Sequence, residues 1–183
     1  AAGKYPVESV TMQQLIINKI ESDTTYQKEL SMTYTPGTLQ MDTRDPTVAI
    51  TMAARQVAEI SASKALICFT SSGATAMRAA RFRPSVPIIA ACYNKEVARQ
   101  LALVWGVYPI VVDAPTTGNF DLVSEVKKIC KLVCEKGYAD ETKDLVTITA
   151  GLPFGTAGVC NYLRVTAAAG PDYWFDITGD KDG

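Results

Sequence analysis

The stretch that decides the fold is residues 65–93, ALICFTSSGATAMRAARFRPSVPIIAACY. It opens with the short apolar run ALICF at 65–69 and closes with a second one, PIIAACY at 87–93. Between them lie a turn rich in hydroxyl groups, TSSGAT at 70–75, and a helix-like run that Pro84 ends. Short apolar runs without polar alternation are typical of strands buried on both faces, as in parallel sheets. The stretch therefore predicts a strand, a helix and a second, parallel strand.

The same alternation continues on both sides of this stretch. Asp45 before Pro46 predicts a helix start ahead of the first strand, and Asn94 predicts the N-cap of a helix that runs to Gly106. Two more apolar runs, YPIVVDA and DLVTITA, flank the amphipathic run DLVSEVKKICKLVCEKGY. Helices between strands predict an α/β fold, here a three-layer α/β/α arrangement around a five-stranded sheet. The last run, NYLRVTA, follows a loop too short for a crossover, which predicts four parallel strands plus one antiparallel edge strand.

The two ends of the chain do not share this pattern. Residues 6–23 have helical periodicity, with Pro6 in the first turn, and the following TPGTLQMDTRDP is typical of a linker. We therefore divide the chain into a helix plus linker at 1–42, the α/β domain at 43–166 and an unassigned tail at 167–183.

Composition excludes several classes of function. A net charge of −1 argues against a nucleic-acid partner, and no apolar run approaches the ~20 residues that span a bilayer, so we expect no membrane association. The chain has no histidine, which removes histidine-dependent triads and the commonest zinc ligands. Its five scattered cysteines predict reduced, buried thiols in a cytoplasmic protein. No signal peptide is visible, and the N-terminus AAGKYP starts as if cut from a longer chain.

The TSSGAT turn is a candidate phosphate site. In an open α/β sheet, ligands bind beyond the carboxyl ends of the strands, where this turn is expected to lie. A following helix adds about half a positive charge at its N-terminus, and a glycine lets the backbone approach closely. The candidate residues are Thr70, Ser71, Ser72, Gly73, Ala74 and Thr75. The structural alternative is a helix start at which Ser or Thr caps its own backbone.

A second loop is expected at the same edge of the sheet. It is the Gly/Pro-rich segment 151–158 after the fourth strand, and two loops facing one crevice can hold a ligand with two anionic ends. Arg78 and Arg81, on the helix after the turn, are either phosphate contacts or solvated surface groups. The glycine spacing fits neither a Walker A loop nor a dinucleotide fingerprint.

Catalytic machinery is not evident in the residue pattern. No paired carboxylates fall at strand ends, and no nucleophile elbow or metal-ligand spacing is present. Asp113, after the third strand, is more typical of a loop cap than of a base. The residues alone predict a binding domain, with no catalytic residue and no metal site in this chain.

Several motifs, in order, resemble the pyruvate kinase family. AAGKYPVESVTM is similar to the Gly-x-Tyr-Pro element at the end of that family's catalytic barrel. ICFTSSGATAMRAARFRPSVPIIA and ARQLALVWGVYPIVVD are similar to its carboxy-terminal domain, in a form that looks bacterial. TAGLPFGTAGVCNYLRV at 149–165 is similar to the closing loop and strand, where the family usually reads Gly-x-Thr-Asn. The resemblance covers roughly residues 1–166.

The resemblance implies a function for the parent protein and for this domain. Pyruvate kinases transfer a phosphoryl group from phosphoenolpyruvate to ADP in glycolysis, with magnesium and usually potassium, as cytoplasmic homotetramers. The residues that do so precede this domain, so we expect the fragment itself to be inactive and to hold no cofactor. In many members this domain binds a phosphorylated effector, a sugar phosphate or AMP, and supplies a tetramer interface. The turn at 70–75 would hold the phosphate, beside loop residues Pro153, Gly155, Thr156 and Gly158.

Departures from the family pattern leave alternatives open. The Trp and Arg that hold the second phosphate of fructose 1,6-bisphosphate have no clear match in APTTGNFDLVSEVKK, which favours a monophosphate. One alternative is a purely structural tetramerisation module in which the turn is only a helix cap. Another is an independent small kinase or nucleotide-binding enzyme, which the lack of a metal-binding constellation argues against. Helix residues such as Leu15 and Ile17 would pack on the barrel, so here they require another partner or leave the helix poorly ordered.

Overall fold

The described residues of the first of two units in the chain form helices. The computed structural model describes residues 3–33, 45–113, 121–153 and 158–170, and the chain divides into Ala1–Met41 and Asp42–Gly183. In the first unit, helix α1 spans Pro6–Glu21 and helix α2 spans Thr24–Thr33. The single helix predicted to about residue 23 ends earlier, because Asp23 accepts the N–H groups of Thr25 and Tyr26 and starts a second helix.

The apolar residues predicted to need a partner are exposed on α1. Leu15 is 58% exposed and Ile17 is 47% exposed, and none of the α1 residues is buried. No described helix is both long enough and apolar enough to cross a membrane.

The second unit alternates helices and strands as the sequence predicts. Its elements are α3 (Pro46–Ile60), β1 (Ala65–Thr70), α4 (Ala74–Arg81), β2 (Ile88–Cys92), α5 (Lys95–Leu101), β3 (Val107–Val111), α6 (Leu122–Glu135), β4 (Leu145–Ala150) and β5 (Tyr162–Ala167).

The five strands form one mixed sheet with the order β3-β2-β1-β4-β5. β1 pairs in parallel with β2 and with β4, and β2 pairs in parallel with β3. β5 runs antiparallel to β4, with Ala150 opposite Tyr162. The predicted α/β fold, with four parallel strands and one antiparallel edge strand, is confirmed.

Helices cover both faces of the sheet, which gives the predicted three layers. Alternate β1 residues point to opposite faces, as the pleat requires. Leu66 and Cys68 belong to one buried cluster, with small residues of α3, α4 and α5. Ile67 and Phe69 belong to the other, with the apolar stripe of α6. All six β1 residues are buried, which explains why ALICFT carries no polar alternation.

Local capping signals place most helix starts, whereas the end of α5 differs from the prediction. Asp45 caps α3 through the Thr47 N–H and Asn94 caps α5 through the Glu96 N–H, each within 2.8 Å. The helix predicted to reach Gly106 ends at Leu101. Beyond it, the N–H of Leu103 bonds to the Gln100 carbonyl in a tighter turn, which leaves Leu103 92% exposed.

The cysteines are free thiols in mostly buried positions. Cys134 is half-buried, and the other four are buried. Desolvation raises the pKa of Cys92 to about 11 and that of Cys130 to about 12, so both are protonated near neutral pH. Within the described parts of the chain, no group of three or more His, Cys, Asp or Glu residues is arranged to hold a metal ion.

A buried chain of hydroxyl groups links α3 to the sheet, and it provides a test of the fold. Ser63 Oγ lies 2.8 Å from Thr147 Oγ1 on β4 and 2.8 Å from Ser61 Oγ. We expect Thr147→Val to lower the free energy of unfolding by about 0.5–1.5 kcal/mol, because the buried hydroxyl of Ser63 loses one of its two hydrogen-bond partners. Urea denaturation measures this change.

The matched control removes both partners at once. Ser63→Ala combined with Thr147→Val is expected to cost less than the two single changes added together. Strictly additive costs would contradict the hydrogen bond.

Candidate functional site

The TSSGAT turn joins the carboxyl end of β1 to the N-terminus of α4. Thr70, the last residue of β1, is 5% exposed, and its Oγ1 accepts the Gly73 N–H at 2.8 Å. Gly73 is the N-cap residue of α4, with a φ of 85°. Its carbonyl accepts the Met77 N–H, which begins the helix. The hydroxyl of Thr70 therefore stabilises the turn itself.

The first turn of α4 has no side-chain cap among the described residues. An α-helix leaves its first N–H groups without partners in the helix, and these groups attract anions. Ser72 is exposed beside them, Ser71 and Ala74 are half-buried, and Thr75 is buried. The turn thus presents at least one exposed hydroxyl next to a helix N-terminus.

Gly73 also makes a close approach that other residues cannot make. A Cβ at this position would lie 3.2 Å from Leu101 Cδ2 and 3.3 Å from Val97 Cγ1, both on α5. Its positive φ falls in the left-handed region that favours glycine. The turn therefore packs directly on α5, in a conformation that the glycine permits.

The second predicted loop begins at the same edge of the sheet. β1 and β4 are neighbours, so the turn after Thr70 and the loop after Ala150 leave adjacent parallel strands at their carboxyl ends. Of the four predicted loop residues, Pro153 and Gly158 are exposed, and Gly155 and Thr156 lie outside the described residues.

The two ends of this loop are joined by contacts that the sequence did not reveal. The Asn161 side-chain amide donates to the Leu152 carbonyl at 2.7 Å, and its oxygen accepts the Leu152 N–H at 2.8 Å. A Cβ on Gly151 would lie 2.1 Å from the Val159 carbonyl oxygen, so only glycine fits there. The only sequence signal for this closure is the asparagine itself, placed just before a strand.

Arg78 and Thr47 contact the returning limb of the loop. Arg78 Nη1 donates to the Gly158 carbonyl at 3.5 Å, and Thr47 Oγ1 donates to the same oxygen at 3.4 Å. The Thr47 N–H is the main cause that holds the pKa of Asp45 below its usual value, the Thr47 side chain is the second, and the nearby charge of Arg78 adds to the effect. Sequence reasoning considered Arg78 as a phosphate contact and missed Thr47, which lies 111 residues from Gly158.

Asp113 lies at the same carboxyl edge of the sheet, in a groove that Phe69 of β1 also lines. It follows β3, which is separated from β1 by β2 in the sheet. The groove has a volume of about 420 Å³, and Val112 of the same segment and Glu125 and Lys128 of α6 line it too. Lys128 Nζ forms an ion pair with Glu125 at 2.7 Å. The structure therefore does not bring Asp113 into the two loops that follow β1 and β4.

The fold and the polar edge define a class: a three-layer α/β domain whose central parallel strand runs into a hydroxyl-rich turn at a helix N-terminus. Residues 48–166 match the family model described as pyruvate kinase, alpha/beta domain, and the chain belongs to this family.

Relatives named pyruvate kinase match over most of this chain. One from Agrobacterium vitis is 35% identical over 168 residues, covering 92% of this chain and 33% of the relative. One from Methylorubrum extorquens is 34% identical, covering 90% and 32%. One from Geobacillus stearothermophilus is 36% identical, covering 90% and 26%. The chain thus spans between about a quarter and a third of the length of these relatives.

The close packing of Gly73 is testable against a second glycine. Gly137 has a similar φ of 77°, and a Cβ there would meet nothing within 4 Å. We expect Gly137→Ala to lower the free energy of unfolding by about 1–2 kcal/mol, the cost of a left-handed residue. Gly73→Ala should cost a further ~1 kcal/mol or more, because the methyl group also overpacks α5. Urea denaturation of both variants measures the difference, and equal costs would show that the contact with α5 relaxes freely.

Proposed function

We propose that this chain is the carboxy-terminal regulatory and oligomerisation domain of a pyruvate kinase, and that its TSSGAT turn binds the phosphate of an effector. The observation that carries the proposal is the N-terminus of α4, which no described side chain caps, placed beside the exposed Ser72 at the carboxyl end of β1. Backbone N–H groups, a hydroxyl and the helix dipole together form a preorganised set of donors for a phosphate.

The effector class that suits this site is a monophosphate, either a sugar phosphate or AMP. The turn supplies one cluster of anion-binding groups. Of the two arginines considered for a phosphate, Arg78 already contacts the Gly158 carbonyl. The Trp and Arg that, by the family resemblance, hold a second phosphate in animal and yeast enzymes have no clear match in residues 114–128.

The activity proposed for the whole protein is phosphoryl transfer from phosphoenolpyruvate to ADP, in the cytoplasm, as a homotetramer using magnesium and potassium. Positioning and metal electrostatics dominate such a transfer. The described part of this chain has no cluster of carboxylates that could hold the metal. We therefore assign this domain a regulatory and assembly role and leave the chemistry to the rest of the protein.

A purely structural module is the second candidate function, and one observation favours it. The Thr70 hydroxyl already accepts the Gly73 N–H, so the turn is stable without a ligand. In that case, the domain only packs and assembles subunits.

A ligand titration separates the two functions. We expect ribose 5-phosphate or AMP to shift the amide resonances of Gly73, Ala74 and Thr75 in NMR spectra of the chain. Ser72→Ala should weaken this binding by about tenfold to a hundredfold, the value of one hydrogen bond to a charged group, because it removes the exposed hydroxyl.

A stability measurement and a control variant accompany the binding measurement on Ser72→Ala. Ser72→Ala should alter the free energy of unfolding by less than about 0.5 kcal/mol, because Ser72 is exposed. Ser85→Ala, at another exposed serine, should change neither quantity. No shift in the turn at millimolar ligand would leave the structural module as the function.

The proposal that this domain does not itself catalyse phosphoryl transfer can be tested separately. We expect the chain alone to form no pyruvate from phosphoenolpyruvate and ADP in a coupled assay with magnesium and potassium, because the groups that hold the metal lie elsewhere. ADP-dependent pyruvate formation by the purified chain would overturn this assignment.

A further inference from the structure

One backbone carbonyl joins three separate segments of the second unit. The oxygen of Gly158, on the returning limb of the loop after β4, accepts from Thr47 in the first turn of α3 and from Arg78 in α4. The two distances, 3.4 Å and 3.5 Å, are longer than those of most protein hydrogen bonds, so each contact is individually weak. Because the guanidinium is charged, its contact is stronger than a neutral bond of the same length.

A carboxylate near this carbonyl interacts with the charge of Arg78. Asp45 caps α3 by accepting the Thr47 N–H at 2.8 Å, and its carboxylate interacts with the Arg78 charge. The guanidinium therefore has two partners within the domain, a carbonyl oxygen and a nearby carboxylate.

α4 connects this cluster to the TSSGAT turn. The helix begins at Ala74, directly after Gly73, and Arg78 lies about one helical turn further on. α4 therefore begins at the TSSGAT turn, and its residue Arg78 contacts the returning limb of the 151–158 loop. Thr47 supports the held limb from α3, and α3 packs against α4.

We infer that Thr47 and Arg78 are positioning residues: by holding the Gly158 carbonyl, they fix the returning limb of the 151–158 loop relative to the TSSGAT turn. The expected consequence is that the spacing of the two loops sets the affinity for a phosphorylated ligand. This consequence rests on the proposed function. Neither side chain needs to contact the ligand.

The test uses ribose 5-phosphate as the probe, with dissociation constants from NMR titration of the full chain. Arg78→Met and Thr47→Val should each weaken binding by about threefold to tenfold, because each removes a donor to Gly158. Thr47→Ser keeps the hydroxyl and should stay within about twofold of the parent chain. Arg99→Met, which removes an exposed cation from α5, should leave binding unchanged.

A double-mutant cycle distinguishes positioning from direct phosphate binding. Because both donors share one acceptor, the combined variant should lose less affinity than the product of the single losses. If Arg78 instead binds the phosphate, Thr47→Val has no effect on affinity and the losses multiply. Either of those results overturns the inference.

A readout without ligand separates failure of this inference from failure of the proposed function. Amide hydrogen exchange at Val159, Cys160 and Asn161 should accelerate in both Thr47→Val and Arg78→Met and remain at the parent rate in Thr47→Ser. Unchanged exchange in the first two variants overturns the positioning role even if the parent chain binds the probe. Accelerated exchange in the variants, together with no binding of ribose 5-phosphate by the parent chain, would support the contacts of Thr47 and Arg78 with Gly158 and reject the phosphate site.

Discussion

Strand β1 pairs in parallel with β2 over five residues and with β4 over four, and its six residues are all buried. A strand enclosed in this way cannot end in the core, because its next backbone groups would lack hydrogen-bond partners. The chain has to leave at the carboxyl edge and turn at once into α4. Thr70 and Gly73 make that exit possible, one with a hydroxyl that accepts an N–H and the other with a left-handed φ. The location of the candidate site therefore follows from the burial of one strand.

The cap and the phosphate cradle are compatible descriptions of the same turn. The bond from the Gly73 N–H to Thr70 uses one donor and one hydroxyl. It does not use the N–H groups that begin α4, and no described side chain caps them. A stable turn that leaves its outer donors available is preorganised, and a ligand bound there does not have to pay for ordering the backbone. The same hydrogen bond thus contributes to folding and to the proposed binding.

The sequence predicted the features that depend on local patterns. Buried strands appear as apolar runs, and the caps at Asp45 and Asn94 act within three residues, so strand order along the chain and most helix starts were accessible. The antiparallel direction of β5 followed from loop length alone. The end of α5 was predicted wrongly, because ALVW has good helical periodicity, yet the N–H groups of Leu103 and Val104 bond to carbonyls three residues back rather than four.

The contacts that shape the site were less accessible than these local patterns. Thr47 and Gly158 are 111 residues apart, and no local pattern links them. The clamp of Asn161 on Leu152 spans nine residues and depends on how the two limbs of the loop approach each other. The location of the TSSGAT turn could be predicted from strand order. The partners of Arg78 and the closure of the second loop could not, because they depend on tertiary contacts.

The antiparallel edge strand β5 determines where the returning limb of the second loop lies. A parallel fifth strand would require a crossover that carries the chain back to the amino edge of the sheet. Because β5 instead starts opposite the end of β4, with Tyr162 facing Ala150, the chain reverses at the carboxyl edge. Glycine at position 151 permits the reversal, and Asn161 fixes it. The loop therefore remains beside the turn that follows β1, close enough to α3 and α4 for Gly158 to reach Thr47 and Arg78. The parallel pairing of β1 with β4 thus places both loops at the same edge of the sheet, and the antiparallel direction of β5 keeps the returning limb there.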